Sequence, residues 1–336
     1  MSFEVLKPGL LSTFQDMGRL QHQRLGIPVA GALDVNAHRL ANLLVGNEPN
    51  AATLEMNLFP PTLKSNSACC VAFSGADMGV LVNDCKVPMN RPVVLRSQDV
   101  ISFDRCVDGA RTYMAVYGGF EISTVFDSAS TYLRSAIGGF DGRALKRGDV
   151  VAINTPLKDI DLSALAQDLW AIKIYLKSSL VRKKVSKLRI IKSAQWDDFT
   201  PESRANLLTQ PFQVTPVSDR MGFRLSGPVL KLSQPRQMIS ESVVFGTIQV
   251  PVGGQAIILM ADRQPTGGYP KIGYVASVDQ PVLAQLSPGD ALTFALIEIA
   301  EAQQLDAKRE QDFVDLHTQL HPIRELLQNA TGRMND

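Results

Sequence analysis

A chain of 336 residues with a formal net charge of +1, 45% hydrophobic and 20% charged residues has ordinary globular composition and length for two cored domains. The near-neutral balance argues against a nucleic-acid surface, which needs clustered basic charge to release counterions. No apolar run approaches the ~18–20 residues of a membrane span and no secretory signal is visible, so the expected compartment is the cytoplasm.

Residues 1–155 read as a β-rich subdomain with one helix over 34–46. In DVNAHRLANLLVGNEP, Asp34 is placed as N-cap, and Ala37, Leu40, Ala41 and Leu44 share one face. Gly46 and Pro49 mark its end. The runs VAFSG, VLVND, PVVL, DVISF, TYMAVYGG and GDVVAI then follow at a spacing that fits a barrel or a sandwich. The four cysteines (Cys69, Cys70, Cys85, Cys106) lie in this region without a C-x-x-C pair, and the histidines make no ligand spacing. Reduced thiols and no metal site are expected.

Residues 156–186 read as a basic, partly helical connection. From Leu169 to Trp196 there is no acidic residue, and the basic ones are Lys173, Lys177, Arg182, Lys183, Lys184, Lys187, Arg189 and Lys192. A solvated connection explains this charge, with an acidic partner or phosphate as the alternative. Residues 187–300 are again strand-rich. The tail, 301–336, reads as charged helix with Phe313, Leu316 and Leu320 on one face and a break at Pro322. Faint echoes between QDMGR and SDRMGFR, and between SQDVISF and PGDALTF, hint at an internal duplication.

The chain has no P-loop, no G-x-G-x-x-G after a strand and no G-x-S-x-G. Its polar residues gather in a few glycine-bearing stretches. TFQDMGR offers Asp16 and Arg19, RLANLLVGN places Asn42 on the helix, and TLEMNL sets Glu55 among apolar neighbours, where it needs a partner or a raised pKa. SDRMGFRLSGP supplies Arg220, suited to bidentate anion contacts, and ISESVVFGTIQVP supplies Glu241 and Gln249. Structural pairing is the plain alternative for each. In ADRQPTGGYPKIGYV, Pro265 and Pro270 frame a connection between two strands. Gly267 and Gly268 are free to take positive φ and bare their amides, with Asp262, Thr266, Tyr269 and Lys271 close by. Such a loop can cradle an anion or a developing oxyanion, and it can also be a simple turn.

The ordered stretches KPGLLSTFQDMGRLQHQRLGIPVAGALD, RLANLLVGN, AVYGGF, GGFDGRALKRGD, SDRMGFRLSGP and DRQPTGGYPKIG carry a resemblance. From about residue 3 to 297 the chain resembles the biotin-dependent carboxyltransferase "A and B subdomain" family, also called allophanate hydrolase subunit 2. It departs from the family's usual Thr at Pro265 and Asp at Tyr132. The resemblance implies a mainly β fold with some α. Two β-rich subdomains are expected, at least one a cyclophilin-like barrel (187–300), followed by the C-terminal helix. The size and charged tail are most similar to the 5-oxoprolinase C-subunit branch. That branch implies ATP-dependent opening of 5-oxoproline to L-glutamate, active only in complex with subunits A and B. Asp262, Lys271 and Glu241 are then expected in catalysis, with Arg220, Gln249, Thr266, Gly267, Gly268, Tyr269, Asp16, Arg19, Asn42 and Glu55 in substrate binding. Lys271 is expected at the mouth of a pocket lined by Gly267, Gly268 and Tyr269. ATP would be used in the complex, and no biotin is expected on this chain, which has no A-M-K-M motif. The alternatives are a carboxyltransferase passing a carboxyl group from carboxybiotin to a urea- or amide-like acceptor, and a non-catalytic regulator binding a kinase-inhibitor-type partner.

Overall fold

The computed structural model describes residues 1–157, 160–181, 187–236 and 238–331. Two compact units emerge, and neither is continuous in sequence. The first comprises 1–18, 34–182 and 311–336, and the second comprises 19–33 and 183–310.

In the first unit, one antiparallel sheet runs in the order Val150–Ala152, Ser2–Lys7, Thr62–Ser65, Val100–Phe103, Val80–Val82, Cys85–Lys86. A second runs Leu11–Gln15, Thr53–Asn57, Asp108–Val116, Cys69–Asp77, Pro92–Leu95. Alternation along Ser2–Lys7 buries Phe3 and Val5, and the fully buried run Cys69–Ser74 explains why that strand reads as continuously apolar. Phe3, Phe14, Met56, Phe73, Ile101 and Met114 belong to one core, so the unit is a sandwich. Helix α1 (Val35–Leu44) packs against this second sheet. Its N-cap Asp34 accepts a 2.9 Å bond from the Ala37 amide, and Gly46 beyond its end takes φ +74°. Cys69 and Cys70 are buried and Cys85 and Cys106 exposed; burial pushes the Cys69 thiol up to about 12.

Helix α2 (Leu162–Ala171) is capped by Asp161. The basic stretch beyond it is not simply solvated. Lys177 bridges Asp312 (2.9 Å) and Asp315 (2.6 Å) of the C-terminal tail. Within the second unit, Arg189 clamps Asp279 through Nε (2.9 Å) and Nη2 (2.6 Å). Arg182, Lys183 and Lys184 lie outside the described residues.

The second unit is built on a closed barrel of seven strands. The order is Lys187–Lys192, Lys271–Val275, Thr247–Gln249, Ile257–Leu259, Gly222–Ser226, Phe212–Val214, Ala291–Leu296, and the first and last of these close it in parallel. Leu188, Phe212, Phe223, Ile248, Ile258 and Phe294 fill its core. Leu33, from the early segment 19–33, belongs to the same core. Helices α3 (Pro201–Thr209) and α4 (Gln280–Ala284) complete the unit. Helix α5 (Ile299–Gln319) and helix α6 (His321–Asn329) form the tail, with Pro322 in the first turn of α6, where a missing N–H costs nothing. Phe313, Leu316 and Leu320 are buried. Among the described residues, no helix is long and apolar enough to cross a membrane.

Candidate functional site

The stretch between Pro265 and Pro270 is more than the connection its sequence suggests. Thr266–Gly267 form a short strand that pairs with Glu241–Ser242, Glu241 lying opposite Gly267. Neither Gly267 nor Gly268 has positive φ. Space there is tight instead: a Cβ at Gly267 would stand 2.5 Å from the Gln249 Nε2, so the end of that side chain would have to move. The sequence shows a glycine pair but not which of its properties the fold requires.

Lys271 is a strand residue and not an exposed loop lysine. Only 4% of its side chain is exposed, and its ammonium pairs with the Glu241 carboxylate, whose side chain is 54% exposed. Hydrogen bonding from Lys271 holds the Glu241 carboxyl below the usual carboxylate range. The Lys271 backbone is pinned at both groups: its N–H donates to the Gln195 Oε1 (2.7 Å), and its carbonyl accepts from the Ser193 hydroxyl. Gln249 lies opposite Lys271 on the neighbouring barrel strand. Its side chain is buried, and Nε2 has no hydrogen-bond partner among the described residues.

Asp262 and Arg220 make the second constellation of this unit. Arg220 donates from Nε (3.1 Å) and Nη2 (3.0 Å) to the two Asp262 oxygens, and from Nη2 to the Gly31 carbonyl (2.6 Å). Backbone bonds hold the parts in place. The Asp262 N–H donates to the Arg220 carbonyl at 2.8 Å, and the Arg19 N–H donates to the Val29 carbonyl at 2.7 Å, folding the early segment that carries Gly31. A carboxylate gripped this way is better suited to orienting its arginine than to taking a proton. Arg263, which sequence reasoning passed over, is also buried. Burial pulls its guanidinium down to about 10, against the opposing pull of Asp262. Its position beside Asp262 in an apolar flank was the available signal.

A cavity of about 620 Å³ has Phe199, Leu230, Met238 and Val250 in its walls and takes Gly268, Tyr269 and Pro270 from the loop. Gly267 and Lys271, expected beside Gly268 and Tyr269, instead face Gln249 and Glu241. Thr266 is exposed and Tyr269 is 47% exposed.

The remaining expected residues separate by unit. Arg19 is buried and groups with the second unit, whereas Asp16, Asn42 and Glu55 belong to the first. Asp16 accepts from the Ser128 hydroxyl (2.7 Å), the Ser130 hydroxyl (2.5 Å), the Ala129 amide (2.6 Å) and the Gly18 amide (2.8 Å). That pattern organises a loop. Asn42 donates to the Ala51 carbonyl (2.7 Å) and accepts from Asn47 (3.2 Å), tying the end of α1 to the chain that follows. Glu55 has the partner its burial demands, the Tyr113 hydroxyl at 2.6 Å. Near them His38 is wholly buried, with Nδ1 2.8 Å from the Thr53 hydroxyl and Nε2 unpartnered among the described residues. Burial pulls His38 down to about 4, opposed first by Asp16.

A mainly β chain with a closed barrel and these loop motifs points to one class. The chain belongs to the carboxyltransferase domain family, subdomain A and B, whose model matches residues 25–296. It is 33% identical to the 5-oxoprolinase C subunit of Escherichia coli over 95% of this chain and 98% of that protein. It is 34% identical to the 5-oxoprolinase C subunit of Haemophilus influenzae over 89% of this chain and 92% of that protein. Among solved structures, the K. lactis urea amidolyase matches with a TM-score of 0.84 and 26% identity, over 94% of this chain but only 20% of that one.

Proposed function

We propose that this chain is the C subunit of an ATP-dependent 5-oxoprolinase, which opens 5-oxoproline to L-glutamate together with subunits of the A and B types. The observation that carries this reading is the match along nearly the whole of two 5-oxoprolinase C subunits, at 33% and 34% identity. The barrel unit supplies groups of the kinds the chemistry needs. A lactam carbonyl is a poor electrophile, so its opening calls for donors to a developing oxyanion and cations beside acidic groups. In this reading the Lys271 ammonium meets an anionic group of the substrate, the 266–269 loop borders it, and Asp262 fixes the Arg220 guanidinium. ATP is consumed in the assembled complex, and no step is assigned to it on this chain.

The test is reconstitution. This chain, purified and mixed with A and B subunits, is expected to give 5-oxoproline-dependent ATP hydrolysis and glutamate. Glutamate formation by A and B in its absence overturns the reading.

The fold match to urea amidolyase favours one second reading: a carboxyltransferase module passing a carboxyl group from carboxybiotin, carried by another protein, to a urea-like acceptor. Carboxylation of urea by this chain with a biotin carboxylase and carrier, and no glutamate in the first assay, would establish it.

A further inference from the structure

The Lys271–Glu241 pair is lopsided. The lysine side chain is 4% exposed and the glutamate 54%. A buried ammonium must keep an anion beside it, because stripping it of both water and counter-ion is far more costly than a surface pair is worth. An exposed carboxylate loses little when it turns back to water. Anion exchange at Lys271 is therefore permitted in one direction: the lysine stays and the glutamate leaves.

The surroundings point the same way. Lys271 is held by its backbone bonds to Gln195 and Ser193 and by its place opposite Gln249, in a strand that the barrel pairs on both sides. Glu241 sits in a strand of two residues, which among the described residues pairs with Thr266–Gly267 alone. Gln249, opposite Lys271, brings a buried amide nitrogen with no acceptor among the described residues. Gly267 keeps the space against that nitrogen open. The site thus holds two donors, an ammonium and an amide, and one resident carboxylate engaged with the first of them. A buried donor left unsatisfied is destabilising, and an incoming two-oxygen group would relieve that cost.

We infer that Lys271 and Gln249 form a carboxylate-binding site in which Glu241 is the resident stand-in, displaced when the carboxylate of a substrate arrives. This rests on the reading of Lys271 as the anion contact of the proposed reaction and adds to it the ligand group and its internal competitor. Glu241 then acts as a specificity-determining residue: a neutral ligand cannot replace it without leaving the ammonium bare.

Calorimetric titration of the whole chain tests this, with L-5-oxoproline, acetate, inorganic phosphate and the neutral 5-oxoprolinamide as probes. Removing the competitor in Glu241→Gln is expected to tighten both carboxylates tenfold or more over wild type and leave the amide unchanged. Gln249→Ala in that background should return much of the gain, and Lys271→Met should abolish binding. No tightening in Glu241→Gln overturns the inference, as does an equal gain for the amide or a gain for phosphate alone. Because Glu241→Gln leaves the buried ammonium without its counter-ion, its melting temperature should fall below wild type and recover on saturation with acetate by more than wild type gains; no such recovery also overturns the inference. Failure of reconstitution with acetate still tightening would remove the 5-oxoprolinase reading and keep the site. Active reconstitution with no tightening would do the reverse.

Discussion

Lys271 shows how burial changes what a substitution reports. Lys271→Met replaces a buried stem with an apolar one of similar length and leaves Glu241 free to solvate, so folding should change little. If the ammonium meets charge that develops in the reaction, turnover by the assembled complex should still fall roughly 100-fold or more. Wild-type turnover with an altered melting temperature would reduce the pair to a structural one. At Gly267 the expectation is steric. Gly267→Ala sets a methyl against the Gln249 Nε2, the end of a side chain that must turn aside, and should cost about 1 kcal/mol, the low end of overpacking. Gln249→Ala should relieve much of that cost, so denaturant melts of the single and double variants should be non-additive. His38 gives a pH signature. Its folded value, about 4, lies below the ordinary 6.5, so the unfolded chain binds the extra proton first as pH falls. Stability should therefore decline between about pH 6.5 and 4, by on the order of 3 kcal/mol for this residue. Urea midpoints across that window should fall in wild type and flatten in His38→Gln; equal slopes in both would remove His38 as the cause. Residue types at these positions were legible in the sequence. Their partners were not, because Glu55 meets Tyr113 across two paired strands, and Lys271 meets Glu241 from a strand pair to which Lys271 does not belong.

At the scale of elements, α1 was readable almost to the residue, since a capping aspartate, an apolar face and a glycine stop are all local signals. The tail was readable as helix for the same reason, but its role depends on what it meets. Phe313 is buried with the Arg39 guanidinium 3.8 Å from its ring centroid, and the nearby Asp312 takes Lys177. Phe313→Ala should cost about 3–5 kcal/mol in a chemical melt, as expected for truncating a buried aromatic. A change within about 0.5 kcal/mol would mark the tail as dispensable. The 266–267 strand was the element least visible in advance. Two residues between prolines carry no period, and only the pairing with Glu241–Ser242 makes them a strand.

For the whole molecule, the discontinuous second unit carries its own expectation. Residues 19–33 contribute Leu33 to the barrel core and the Gly31 carbonyl to Arg220. A fragment of residues 187–310 alone should therefore be markedly less stable than the same fragment with a 19–33 peptide added, as read by amide-exchange protection. Equal protection would show that the early segment is an accessory. Local pattern alone was enough to establish a β-rich chain, its one well-capped early helix, its helical tail and the polar loops, because hydrophobic period, caps and turn residues act over a few positions. Tertiary structure decided that the first region closes as a sandwich and the second as a barrel, and that residues 19–33 join the latter. It also decided that Lys271 opens a barrel strand as a buried ion with an exposed counter-ion. Those outcomes depend on contacts between positions far apart in the chain, and local periodicity carries no record of which distant strand supplies the partner.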